Sequence, residues 1–260
     1  MDAHEVKEKF TQYTQRLIEA CRATPSVIGL VLVGSVADTA RVDEWSDHDF
    51  FVITQTGAQE ELRQDLSWLP SHNEIAFSFR ETEHGLKVVY VSGAVLEFAI
   101  FDTDELRSCA VNHNKLAFGT DEVKDALSIA SGRTAEKIPG DSLTDFRHFL
   151  SLVLIGVGRA RRGEVLTAGQ GIRSYSLAAL MRVFVREAPH DSRLDRLDPF
   201  RRFELVHPEL GYNIAVALEH SPELAAKNLL KIAEDNLSQS WLQYPIEDVR
   251  VIKEALGWIT

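Results

Sequence analysis

The chain has 260 residues, 45% of them hydrophobic and 26% charged, with 28 Lys and Arg against 39 Asp and Glu for a net charge of −11. That composition excludes a disordered or collagen-like chain, and its acidity is the wrong footprint for a long polynucleotide partner. No run approaches the ~20 apolar residues that span a bilayer, and the acidic start Met1-Asp2-Ala3-His4-Glu5 lacks the order of a secretory leader.

Residues 4–22 predict an amphipathic helix with Val6, Phe10, Tyr13, Leu17 and Ile18 on one face. The continuous apolar run from Val27 to Val33 is of strand length and ends at Gly34-Ser35. Asp49–Ile53 reads as a second strand and Gln59–Leu69 as a helix. Three strand-like runs follow, Ile75–Arg80, Leu86–Val91 and Val95–Phe101, with Gly85 and Ser92-Gly93 where tight turns would join them. Leu116-Ala117-Phe118 suits a short last strand and Asp121–Ala130 a helix. Helical periodicity then takes over, over Leu143–Arg162, Tyr175–Arg186, Pro208–His220, Pro222–Asp235 and Ile246–Ile259.

The expected fold is therefore α+β: an N-terminal mixed sheet with flanking helices over residues 1–140, then a C-terminal helical bundle over 141–260. Ile138-Pro139-Gly140-Asp141-Ser142 is the expected boundary, because Pro-Gly punctuates and Asp or Ser caps the next helix. Charge divides unevenly across it. Residues 1–140 carry 13 Lys and Arg against 23 Asp and Glu, and residues 141–260 carry 15 against 16. Eleven arginines crowd between Arg147 and Arg202.

The stretch that carries chemistry runs from Leu30 to Ile53. An apolar strand ends in Gly34-Ser35, and eleven residues later Asp47-His48-Asp49 opens a second apolar strand. Residues i and i+2 of a strand share a face, so Asp47 and Asp49 present two carboxylates together. Like charges that close repel, and a fold keeps them mainly where cations neutralise them. Hard oxygen donors suit Mg²⁺, which takes one or two carboxylates plus substrate phosphates. The small residues Gly34 and Ser35 let backbone N–H groups and a hydroxyl approach a phosphate. Glu97 is a third acid, set among apolar neighbours in Val95–Phe101, where a charge needs a partner or a metal. If that strand lies beside Asp49–Ile53, the three acids ring a two-metal site.

This ordered set, Gly34-Ser35 followed by Asp47-His48-Asp49, resembles the signature of the nucleotidyltransferase superfamily that includes DNA polymerase β. The resemblance covers about residues 27–102, and the size and helical second half are similar to antibiotic nucleotidyltransferases acting on aminoglycosides or lincosamides. It implies that Asp47 and Asp49 hold two Mg²⁺ ions, that Gly34 and Ser35 contact the triphosphate of ATP or another NTP, and that Glu97 completes the metal site or acts as base. Asp102 and Glu164 are its alternatives as base.

The reaction so implied moves a nucleoside monophosphate, AMP from ATP, to a hydroxyl of a small molecule and releases pyrophosphate. A protein AMP transferase of the antitoxin type, or a nucleotide-binding module without turnover, are the rival readings. The surplus acidity of residues 1–140 favours a neutral or cationic acceptor such as an aminosugar, with no nucleic acid and no membrane as partner, and with the arginine-rich segment facing the triphosphate. A homodimer is a family-level expectation. His48 points away from the two acids and reads as structural. Cys21 and Cys109 make neither a disulfide framework nor a zinc site and read as small apolar residues, so a reducing cytoplasm is the expected compartment.

Overall fold

The computed structural model describes residues 2–135, 140–188, 195 and 197–259. It divides the chain into two compact units, Met1–Glu136 and Lys137–Thr260. Ile138 and Pro139 of the expected boundary lie outside the described residues, whereas Asp141 caps the helix that follows, accepting from Thr144 N at 2.7 Å.

The first unit opens with helix α1 (Ala3–Ala23) and strand β1 (Val27–Val33), followed by the one-turn helix α2 (Gly34–Ala37). Strand β2 (His48–Thr54), helix α3 (Gln59–Gln64) and strands β3 (Ile75–Arg80), β4 (Gly85–Tyr90) and β5 (Val95–Phe101) come next. Helix α4 (Thr103–Ser108), strand β6 (Asn114–Gly119) and helix α5 (Asp121–Ala135) complete it.

The six strands form one mixed sheet in the order β3–β4–β5–β2–β1–β6. β2 and β5 run parallel, and the other neighbours are antiparallel. Alternation sorts the side chains onto two covered faces. Leu30, Leu32, Phe50, Val52, Leu96, Phe98 and Ile100 pack with Phe10, Leu17 and Cys21 of α1. Val31, Ile53, Ala99 and Phe101 pack with Leu106 of α4 and Val123, Ala126, Leu127 and Ala130 of α5. Burial pushes the Cys21 thiol up to about 12, which leaves it protonated and inert.

One helix end and one additional helix differ from expectation for local reasons. α3 stops at Gln64 rather than running to Leu69, because the Asp65 carboxylate takes the Ser67 N–H at 2.9 Å and the Ser67 hydroxyl at 2.8 Å. Such a local turn competes with the helical ladder. α4, which periodicity does not announce, is nucleated by a capping box. Asp102 accepts from Asp104 N and Glu105 N at 3.0 and 2.9 Å, while Glu105 accepts from Asp102 N at 2.9 Å.

The second unit is helical: α6 (Ser142–Arg161), α7 (Val165–Gln170), a π-helical turn (Gly171–Ser176), α8 (Leu177–Glu187), α9 (Phe203–Val206), α10 (Pro208–Leu218), α11 (Pro222–Leu237) and α12 (Ile246–Leu256). Phe146, Phe149, Val153, Phe184, Leu229 and Trp241 belong to its single core. The helical path through Val165–Ser176 escapes sequence periodicity because Gly169 and Gly171 depress propensity; tertiary packing supplies what propensity lacks. A Cβ at Gly156 of α6 would strike the Ile172 side chain, so glycine lets the π-turn approach.

Asp145 of α6 ties this core together. Arg182 donates to Asp145 Oδ1 through Nε at 3.0 Å and Nη2 at 2.7 Å, and Arg186 donates to Oδ2. Burial works to raise the Asp145 carboxyl, but the two guanidinium hydrogen bonds outweigh it and hold it below the ordinary carboxylate range. Asp145→Ala removes the carboxylate that two guanidiniums share and is expected to cost about 3 kcal/mol in denaturant unfolding. The wild-type contribution is present above the unfolded carboxylate pKa of about 3.9. It disappears as pH falls through the lowered folded value, so wild type and Asp145→Ala converge in acid.

Candidate active site

β2 and β5 build the site because they are parallel and in register. His48 pairs with Leu96, Asp49 with Glu97 and Phe50 with Phe98. Alternation turns His48 and Phe50 toward α1 and leaves Asp49 and Glu97 side by side on the opposite face. Asp47, two residues before Asp49, joins them. One carboxylate oxygen from each of Asp47, Asp49 and Glu97 lies within 4.8 Å of the others. Asp47 and Asp49 are half-buried and Glu97 is exposed.

The end of β1 closes on this trio. Gly34 has φ +60°, a left-handed conformation that glycine adopts freely, and a Cβ there would overlap the Asp49 carboxylate. Backbone and carboxylate thus touch where no side chain fits. Ser35 donates its hydroxyl to the Asp47 carbonyl oxygen at 3.3 Å, tying the turn to the first acid. His48 lies on the other side, its ring stacked on Phe10 at a centroid distance of 3.8 Å and its Nε2 donating to the Phe10 carbonyl at 3.3 Å. Burial pushes its pKa down to about 4 against the raising effect of that bond. A neutral imidazole is therefore a packing element near pH 7.

Glu97 has the partner that a charge among apolar neighbours needs, and it is not enclosed by them. Its flanking residues Leu96 and Phe98 are buried, but Glu97 alternates outward and its side chain is 48% exposed. It has a partner in Lys87, directly opposite on β4, whose Nζ stands 3.4 Å from Glu97 Oε2 and 2.9 Å from Glu81 Oε1. The hydrogen bond to Glu81, then the charge of Glu97, holds the Lys87 ammonium above its ordinary pKa.

Asp102 does not join the trio. It stands five residues beyond Glu97 along β5, about 16 Å at the strand rise, and is buried as the cap of α4 with Gln59 Nε2 donating to it at 3.0 Å. Glu164 belongs to the second unit, exposed and accepting from Arg162 Nε at 3.0 Å, whereas the acid trio is assembled wholly within the first. Several arginines of the second unit have partners within it. Arg147 pairs with Asp248, Arg161 with Glu223, Arg182 and Arg186 with Asp145, and Arg173 donates to the Leu218 and His220 carbonyls. Arg193 and Arg196 lie outside the described residues.

Asp47 also borders a cavity of about 860 Å³ on the α1 side of the sheet. Phe10 and Tyr13 of α1, Asp43, Glu44 and Trp45 of the loop before β2, and Ser92 and Gly93 of the β4–β5 turn line it. Trp45 is 86% exposed, so its indole is available to a ligand. Neither Trp45 nor Lys87 stands out in the sequence taken alone. A signal for Lys87 is nonetheless present. A hairpin centred on Ser92 pairs residues equidistant from it, and Lys87 and Glu97 are such a pair.

Neither a family model nor a curated protein matches the chain. Among solved structures, the chain is similar to an aminoglycoside 6-adenyltransferase from Bacillus subtilis, at 11% identity and a TM-score of 0.31 over 94% of this chain and 90% of that one. It is also similar to a nucleotidyltransferase-like protein from Exiguobacterium sibiricum, at 12% identity and a TM-score of 0.33 over 95% and 88%. A STING-associated CdnE c-di-GMP synthase from Capnocytophaga granulosa aligns at 10% identity and a TM-score of 0.33 over 99% and 84%. Similarity of this degree says nothing of substrate. No helix among the described residues is long and apolar enough to cross a membrane.

Proposed function

We propose that the first unit is a nucleotidyltransferase centre that moves AMP from ATP, or the corresponding group of another NTP, to a hydroxyl of a small molecule. The observation that carries this reading is the convergence of Asp47, Asp49 and Glu97 within 4.8 Å beside a glycine turn that abuts Asp49. Three hard oxygen donors from one sheet face fit Mg²⁺. Asp47 and Asp49 would hold two such ions, with Glu97 as third ligand, base, or both. When bound, the ions offset the triphosphate charge and lower the pKa of an acceptor hydroxyl.

The chain's own residues do the rest. Gly34 leaves room for the backbone to meet phosphate oxygens without displacing the Asp49 carboxylate. Ser35 presents a hydroxyl beside them. Glu97, exposed beside Asp49, is placed to take the proton of the acceptor hydroxyl as its oxygen attacks the α-phosphorus. The bond from that phosphorus to the bridging oxygen breaks, and pyrophosphate leaves. Catalysis rests on positioning and charge, without a covalent protein intermediate.

The cavity touches the trio through Asp47 alone; its size falls within the ~300–1,000 Å³ of small-molecule sites, which supports a small acceptor that reaches the other two acids past Asp47. Asp43, Glu44 and Asp47 on its wall outnumber Lys9 and Arg16 there, a balance that favours a neutral or cationic compound over an anion, an aminosugar being one, and Trp45 offers a stacking face. The test is a transfer screen with α-³²P-ATP and Mg²⁺ against a panel of amino and neutral sugars, a cell lysate and an RNA 3′ end. Label should appear in a small molecule, with Trp45→Ala raising the acceptor KM at least about tenfold and leaving the ATP KM unchanged. Label confined to protein would move the reading to a protein AMP transferase. Efficient labelling of the RNA end would contradict the small acceptor.

A further inference from the structure

Across the sheet, register sets four side chains in one row. Asp49 on β2 faces Glu97 on β5, Glu97 faces Lys87 on β4, and Lys87 reaches on to Glu81 just past the end of β3. The signs run negative, negative, positive, negative. The middle acid thus has a like charge on one side and an ammonium on the other. Glu97 Oε2 and Glu81 Oε1 share that ammonium at 3.4 and 2.9 Å.

As an ion pair between a half-buried lysine and an exposed acid, Lys87–Glu97 contributes little to folding. Its position gives it another consequence. A divalent cation held by the trio would come within a few ångströms of the Lys87 ammonium, and two cations drawn to one carboxylate oppose each other. We propose, resting on the two-metal reading of the trio, that Lys87 is a positioning residue for Glu97, a resident counter-ion that competes with the divalent cation and sets the aim of the third acid. The hold is graded, because Glu81 anchors the ammonium on its far side. With Glu81 taking the shorter contact, Lys87 stays beside Glu97 when a cation binds, its hold on that carboxylate weakened but not removed.

Lys87 therefore trades metal affinity against turnover. Without it the trio is more negative and binds a divalent ion more tightly, while Glu97 loses the contact that orients it toward an acceptor. Lys87→Met keeps an unbranched apolar stem, one atom shorter, and removes the charge. Lys87→Arg keeps the charge. Neither touches Asp47 or Asp49.

The experiment measures Mn²⁺ binding to the full chain by electron paramagnetic resonance, without nucleotide, for wild type, Lys87→Met, Lys87→Arg and Asp49→Asn, and kcat and KM in parallel. Lys87→Met should bind Mn²⁺ about three- to tenfold more tightly than wild type. Its kcat should fall at least about tenfold, with the ATP KM within about twofold of wild type. Lys87→Arg should restore both. A merely structural lysine would leave Mn²⁺ affinity unmoved. Binding by wild type that is lost in Asp49→Asn but unchanged or weakened in Lys87→Met overturns the role of Lys87 and leaves the metal site standing. No Mn²⁺ binding by wild type overturns both.

Discussion

Asp49→Asn is expected to reduce Mg²⁺-dependent nucleotidyl transfer to below about a tenth of wild type while the protein stays folded. The substitution is isosteric, so the packing against Gly34 survives, and the amide cannot serve as an ionised ligand. Three carboxylates whose oxygens come within 4.8 Å of one another repel in the absence of a cation. Removing one charge is therefore expected to leave melting unchanged or to raise apo stability by up to about 1 kcal/mol. Loss of activity without loss of stability separates a functional acid from a structural one. Asp47→Asn should behave alike. A variant at either position keeping more than about a tenth of wild-type turnover would contradict the two-metal assignment.

Gly34→Ala should combine two penalties that other glycines of the chain allow to be separated. At φ +60° an alanine is strained by about 1–2 kcal/mol, and its Cβ collides with the Asp49 carboxylate. The carboxylate must move, and a displacement near 1 Å at a reacting centre costs about 10²-fold in rate. Gly57 supplies the control. Its φ is +89°, and a Cβ there meets nothing within 4 Å. Gly57→Ala should lose only the stability that its φ strain accounts for and keep its kcat, whereas Gly34→Ala should lose more stability and its kcat as well. Equal kcat in the two variants would mean that the turn and Asp49 do not form one site.

The architecture is legible in the sequence to the extent that it depends on alternation. The run Val27–Val33 and the Phe50–Ile53 segment are apolar enough to be central strands, and they are β1 and β2. The order Gly34-Ser35, Asp47, Asp49 can be placed on a site because those residues sit at strand ends, where chain order and spatial order agree. Glu97 stands out for a reason the structure modifies. A carboxylate flanked by Leu96 and Phe98 reads as buried, yet the period of two puts it outside with Lys87 for company. Asp102 misleads because a carboxylate just past a strand resembles a catalytic acid, although Asp102 and Glu105 carry the spacing of a capping box. Trp45 is not legible. Its loop before β2 has no period, and only the folded position of α1 and the β4–β5 turn makes a cavity beneath it. The sequence shows the cations of the arginine cluster without the carboxylates brought to some of them, such as Asp248 to Arg147 and Glu223 to Arg161.

The central claim is that the acid trio and the Gly34-Ser35 turn break a triphosphate between its α- and β-phosphates. Its most direct test runs wild type with Mg²⁺ and the acceptor panel on ATP labelled at either the α- or the γ-phosphate, and asks where each label goes. The expected result is α-label in the modified acceptor and γ-label in pyrophosphate, both dependent on Mg²⁺ and both lost in Asp49→Asn. Transfer of γ-label to the acceptor with release of ADP, or no Mg²⁺-dependent movement of α-label to any acceptor, would contradict it.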